Sequence, residues 1–125
     1  MTIILSQDDL DAIILNSLCN GALSELVGYG LEVNFEGSNY DNHKVKGNSY
    51  EDNLLLCLKN GERLVFDDNE GDEQVSFTMA EAKERLEKHG DQYINTIKNV
   101  ISGDDDATDG DTILQLCLYD DVIFG

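Results

Sequence analysis

The chain has 125 residues and carries 26 Asp and Glu against 8 Lys and Arg, a formal charge of −18. An acidic chain repels nucleic acid and anionic membranes, so direct binding to either is not expected. Its length argues for one domain spanning residues 1–125, and 41% hydrophobic residues set it apart from a disordered acidic tail.

No apolar run reaches the roughly 18 residues of a membrane span. Met1 to Leu10 reads MTIILSQDDL and has no basic lead region, so a cytoplasmic protein without a signal peptide is expected. Cys19, Cys57 and Cys117 are odd in number and far apart, and each lies in an apolar stretch. They read as reduced, buried thiols.

In chain order, Thr2 to Leu5 reads as a short strand or an apolar lead-in. Ser6 is a helix N-cap with acids behind it, and Leu10, Ile13, Ile14 and Leu18 recur at helical spacing. Asn20-Gly21 marks a stop or kink before Ala22 to Val27. Leu31, Val33 and Phe35 alternate with polar residues, as in a half-buried strand. Residues 37–52 read as a long loop or a weak strand.

Leu54 to Leu58 and Arg63 to Phe66 flank Asn60-Gly61. This pattern predicts two strands joined by a type I′ hairpin. Asp67 to Gln74 reads as an exposed acidic loop, followed by a short strand at Val75 to Phe77. Thr78 and Glu81 form a capping box for a helix reaching about Ile101, weakened at Gly90 and stopped by Gly103. A last helix over 112–118 is capped by Asp109 or Asp111. The expected order is β-α-β-β-β-α-α: an α+β domain, with a small antiparallel sheet carrying the Asn-Gly hairpin and packed against two to three helices.

Segment by segment, residues 1–30, 31–60, 61–77, 78–103 and 104–125 carry −4, −2, −5, 0 and −7. The charge is therefore concentrated around a neutral helix. A calcium loop does not fit it, because an EF-hand register from Asp105 puts Ala107 at a ligand position and Leu116 where a Glu is required. His43 and His89 stand alone in polar surroundings and read as surface side chains. No nucleotide-binding glycine motif or framed nucleophile is present. The expectation is a non-enzyme with no cofactor and no metal.

At duplex charge density, eighteen charges match about 31 Å of DNA axis, close to the diameter of a domain this size. Acids gathered on one face would imitate a nucleic acid. The partner-binding candidates are Asp67, Asp68, Glu70, Asp72 and Glu73 in the first acidic segment. Asp104, Asp105, Asp106, Asp109 and Asp111 are the candidates in the second. The first helix turn at Asp8 to Asp11 and the pair Asp120-Asp121 are expected to converge with them. Val122 to Phe124 reads as an edge strand that closes this protein's own sheet or pairs with a second copy in a homodimer.

The tail, DGDTILQLCLYDDVIFG over 109–125, resembles a group of small acidic proteins of phages and mobile elements. In size and charge the chain also resembles anti-CRISPR and anti-restriction DNA mimics. The resemblance implies an inhibitor that blocks the basic nucleic-acid groove of a host defence nuclease or CRISPR effector. The alternative is an immunity protein or antitoxin that neutralises a basic nuclease toxin. Either way the partner is a basic nucleic-acid-binding protein or complex.

Overall fold

Ser6 opens the first helix, α1 (Gln7–Cys19), by accepting the Asp9 amide at 3.1 Å. A computed structural model describes residues 3–125. In it Leu10, Ile13, Ile14 and Leu18 form the buried stripe of α1. Gly21, at φ +93°, turns the chain into α2 (Ala22–Gly28). Of the expected N-terminal strand, residues 3–5 form no strand and Thr2 lies outside the described residues. Leu5 is buried, and its amide donates to Glu87 of the later helical region at 2.7 Å, while Ile4 is exposed.

Leu31–Val33 forms β1, and the chain leaves the strand before Phe35. Residues 37–52 hold helix rather than strand: α3 (Tyr40–His43) and the start of α4 (Tyr50–Lys59). The stretch read as the first hairpin strand lies inside α4. Its buried residues Asn53, Leu54, Cys57 and Leu58 follow a helical period, and Ser49 caps it by accepting the Asp52 amide. Asn60-Gly61 is accordingly a helix terminus. With Gly61 at φ +84°, its amide donates to Leu58 O and the Glu62 amide to Cys57 O, each at 3.0 Å. These are the two bonds of a Schellman cap, which uses the same left-handed glycine that a type I′ turn would use.

The hairpin lies one segment later. β2 (Leu64–Asp68) and β3 (Glu73–Phe77) pair antiparallel across Asn69 to Asp72, in a sheet ordered β1-β2-β3. Four residues read as acidic loop, Asp67, Asp68, Glu73 and Gln74, are therefore strand residues at the turn end of the hairpin.

Thr78 and Glu81 form the expected capping box at the head of α5 (Met79–Lys88). The chain breaks at Gly90, where a Cβ would overlap Ile3. It resumes as α6 (Ile94–Ser102) and stops at Gly103 in the left-handed region. The last helix, α7 (Ala107–Tyr119), starts earlier than expected. Asp106 is its N-cap, and Asp109 closes a reciprocal capping box. From Gly110 to Leu118 only Thr112 escapes burial. α7 is enclosed on nearly all sides, touching α1, α2, α5, α6 and β3. The result is an α+β domain built around α7. No single helix among the described residues is long and apolar enough to cross a membrane.

Candidate partner-binding surface

The two acidic segments sit at opposite ends of α7. At its N-terminus, Asp105 and the Asp106 carbonyl accept from the Asn20 side chain, which joins this turn to the end of α1. At its C-terminus, the charges of Asp68 and Glu73 help hold the Tyr119 phenol above its ordinary pKa, after the larger effect of burial. At 1.5 Å per residue, the two ends of α7 are about 20 Å apart.

Most of these carboxylates are fixed by amides. Asp68 Oδ1 accepts the Glu70 and Gly71 amides at 3.1 and 3.0 Å, which shapes the hairpin turn. Asp67 Oδ1 accepts from Asn34 and Gln74, each at 3.1 Å. Asp106 accepts the Asp109 amide at 2.9 Å, and Asp104 accepts from Ser102. Asp72 stands at φ +53°, a conformation that Asp and Asn tolerate better than most residues. Among the described residues, none of the ten candidates takes part in an ion pair, and six of the eight Lys and Arg side chains are bound to other acids. Lys59 holds Asp11, Lys44 holds Asp41, Arg63 and Arg85 share Glu81, Lys83 holds Glu87, and Lys88 with His89 holds Asp120.

This geometry removes several members from the expected convergence. Asp111 is only 7% exposed, so it presents no carboxylate to a partner. Its oxygens accept from Tyr29 Oη at 2.8 Å and Gln115 Nε2 at 2.7 Å. The bond to Asp111 is the main cause that raises the Tyr29 pKa. Asp11 is bound to Lys59 at the start of α1, the end remote from Asp105, and Asp120 is bound to Lys88 and His89. His43 and His89 are half-buried, facing Glu62 at 2.8 Å and Asp120 at 2.9 Å. Cys57 and Cys117 are buried, and desolvation pushes the Cys117 thiol up to about 12. Cys19 is exposed instead. Its pKa is raised first by partial desolvation and then by Glu51, Asp52 and Asp105. Those three acids therefore act on one thiol, although Glu51 and Asp52 are distant in sequence.

The tail does not form a strand. Gln115 Oε1 accepts both the Ile123 and Phe124 amides at 2.8 Å, while its Nε2 holds Asp111. Phe124 stacks on Tyr29 with ring centroids 4.7 Å apart and meets Tyr119 edge-on at 6.0 Å. Glu70 lies against Gly30, next to Tyr29. The tail motif I-L-Q…D-V-I-F-G is thus an internal latch between the two acidic ends. Residue spacing concealed this role, because it joins side chains of α7 to main chain nine residues later.

Among the described residues, no group of three or more His, Cys, Asp or Glu is placed to hold a metal ion. No family model matches the chain, and no curated protein or solved structure does. The fold and surface define a small acidic α+β protein with two separated clusters of unpaired carboxylates.

Proposed function

We propose that this protein is an acidic, non-enzymatic inhibitor of a phage or mobile element. It occupies the basic nucleic-acid groove of a host defence nuclease or CRISPR effector in the cytoplasm. The observation that carries the reading is the division of labour among its acids: six of the eight Lys and Arg are bound outside the two clusters, and within the clusters Asp67, Asp68, Asp105, Asp106 and Asp109 are held by amides. A carboxylate fixed by N–H donors keeps its full charge and its position, as a stand-in for phosphate must. The length of α7, about 20 Å, is an axis length over which duplex DNA carries about a dozen charges. With Asp111 removed, nine carboxylates of the ten candidates remain. Like-signed, fixed charges of this density steer a basic partner and make the encounter sensitive to salt.

The test is inhibition of DNA cleavage by a panel of defence nucleases and CRISPR effectors, with duplex as competitor. A neutralised variant should spare the structural acids. Asp67→Asn, Glu70→Gln, Asp72→Asn, Glu73→Gln, Asp104→Asn and Asp105→Asn neutralise acids of both clusters, amide-held Asp67 and Asp105 included, while leaving the α7 capping box intact. The expected result is inhibition that competes with duplex, weakens steeply between 0.05 and 0.5 M salt (about a threefold fall in screening length), and is lost in the variant. Undiminished inhibition by the folded variant would overturn the reading. Inhibition confined to a single toxin nuclease encoded beside this gene would favour the immunity-protein alternative.

A further inference from the structure

A second feature lies beside the acids and is apolar. Val27 at the end of α2, Phe35 after β1 and Tyr50 at the head of α4 are 52%, 42% and 48% exposed. They border a groove of about 280 Å³ whose floor includes Leu31, Val33 and Phe66. This volume is slightly below the 300 Å³ at which small-molecule pockets begin, which suits the side chains of a polypeptide better than a whole ligand.

The groove runs along the open edge of β1. Among the described residues β1 has a strand neighbour on one side only. Asn34 N donates to Val65 O at 2.8 Å and Asn69 N to Gly30 O at 2.9 Å. These bonds fix the alternation of the ladder, so the main-chain groups of Leu31 and Val33 point away from β2. Glu32 is exposed on the groove wall, and no Lys or Arg lines the groove. Glu51 follows Tyr50 at the head of α4 and is its hydrogen-bond partner. Glu32 and Glu51 therefore place carboxylates on the groove and beside its Tyr50 wall.

We propose that this groove docks an extended, lysine- or arginine-rich segment of the basic partner. The segment adds to the open edge of β1 and places an apolar side chain between Val27 and Tyr50. Strand addition supplies main-chain bonds, alternate side chains supply the apolar anchor, and the intervening cations meet Glu32 and Glu51. A second copy of this chain would bring its own acids against those of the groove, so charge selects a basic occupant. The inference rests on the reading of the partner as basic and adds an apolar anchor to it.

Two synthetic peptides of equal charge separate the anchor from the charge: one alternating lysine with leucine, the other lysine with serine. Titrated into ¹⁵N-labelled protein at low salt, the leucine peptide should bind at least about tenfold more tightly, as expected for one well-buried apolar side chain. Its shifts should centre on Val27, Val33 and Phe35. Val27→Asp should abolish that advantage and leave the serine peptide's affinity within about twofold. Should Val27→Asp fail to fold, Tyr50→Ser serves the same purpose. Equal affinities, or shifts confined to the acidic clusters, would overturn the groove and leave the charge-steered inhibitor standing. Concentration-dependent dimerisation abolished by Val27→Asp would overturn it in favour of a second copy. Loss of duplex competition in the nuclease assay, with the tenfold preference intact, would instead remove the nucleic-acid-mimic reading alone.

Discussion

The α5 helix and the head of α7 both carry several acids, but they satisfy them differently. Around α5, carboxylates meet cations. Arg63 Nη2 lies 2.6 Å from Glu81, Lys83 Nζ lies 2.7 Å from Glu87, and Lys88 and His89 reach across to Asp120. At the head of α7, and in the hairpin turn, carboxylates meet amide N–H groups. The first arrangement cancels charge and ties elements together. The second fixes a carboxylate without cancelling its charge. A net charge of −18 therefore says less about a partner than the kind of hydrogen-bond donor each acid receives.

The largest test of this contrast is at the buried acid. Gln115→Leu removes the amide that holds Asp111 and the acceptor of two tail amides. A buried carboxylate then lacks one donor, and urea denaturation should show a loss of about 3 kcal/mol. The tail should become sensitive to carboxypeptidase in the same variant. A loss below about 1 kcal/mol would mean the latch is incidental.

The next effect is at the N-cap. Asp106→Ala should cost about 1 kcal/mol by the same measurement, with little dependence on salt, because its donors are backbone amides. The ion-paired acids should behave in the opposite way. Burial raises the Glu81 pKa, but the Thr78 amide and the two arginines more than offset it. Lys83 and the Leu5 amide lower Glu87, and Lys88 with His89 lowers Asp120. For groups depressed in the folded state, the stability they contribute is present above the unfolded values of 4.5 for Glu and 3.8 for Asp. It is lost as pH falls through the lower folded values. Glu87→Gln should therefore be less stable than the parent at pH 6, by about 1 kcal/mol or less for a pair whose lysine is still largely in solvent. The gap should close as pH drops below about 4. A gap that persists in acid would show that the Glu87 contribution is not ionic.

The smallest effect reads the amide-held cluster through a neighbour. Cys19 should be the first thiol labelled by iodoacetamide, with Cys117 inert until unfolding. Its rate should rise roughly twofold between 0.01 and 0.5 M salt, as screening weakens the acids that disfavour its thiolate. A rate independent of salt would deny that Glu51, Asp52 and Asp105 act on it together.

Local signals made much of this fold legible. Ser6, Thr78 with Glu81, the break at Gly90 and the stop at Gly103 all stand where side-chain chemistry places them. The error at α4 has a physical source. Leu54, Leu55 and Leu56 adjoin, so the run shows no period of 3.6, and Asn60-Gly61 serves a helix end as well as a hairpin. The cap Ser49-x-x-Asp52 was the signal that separated the two. The candidate surface was readable as composition but not as placement. Nothing in the spacing shows that Asp111 faces Tyr29, that Asn20 holds Asp105, or that Glu51 and Asp52 share a thiol with Asp105. Those contacts depend on how α1, α4 and α7 are brought together.

The fork made by Gln115 has a consequence for the tail. It grips the main chain of residues 123 and 124, while the Ile123 side chain is left half in solvent. Replacing Ile123 by serine should leave the melting temperature nearly unchanged. Deleting one residue between Asp120 and Val122 would draw Phe124 off Tyr29 and slip both amides past the Gln115 oxygen. In this stretch the fold measures length rather than spelling, like a ruler read at its last mark.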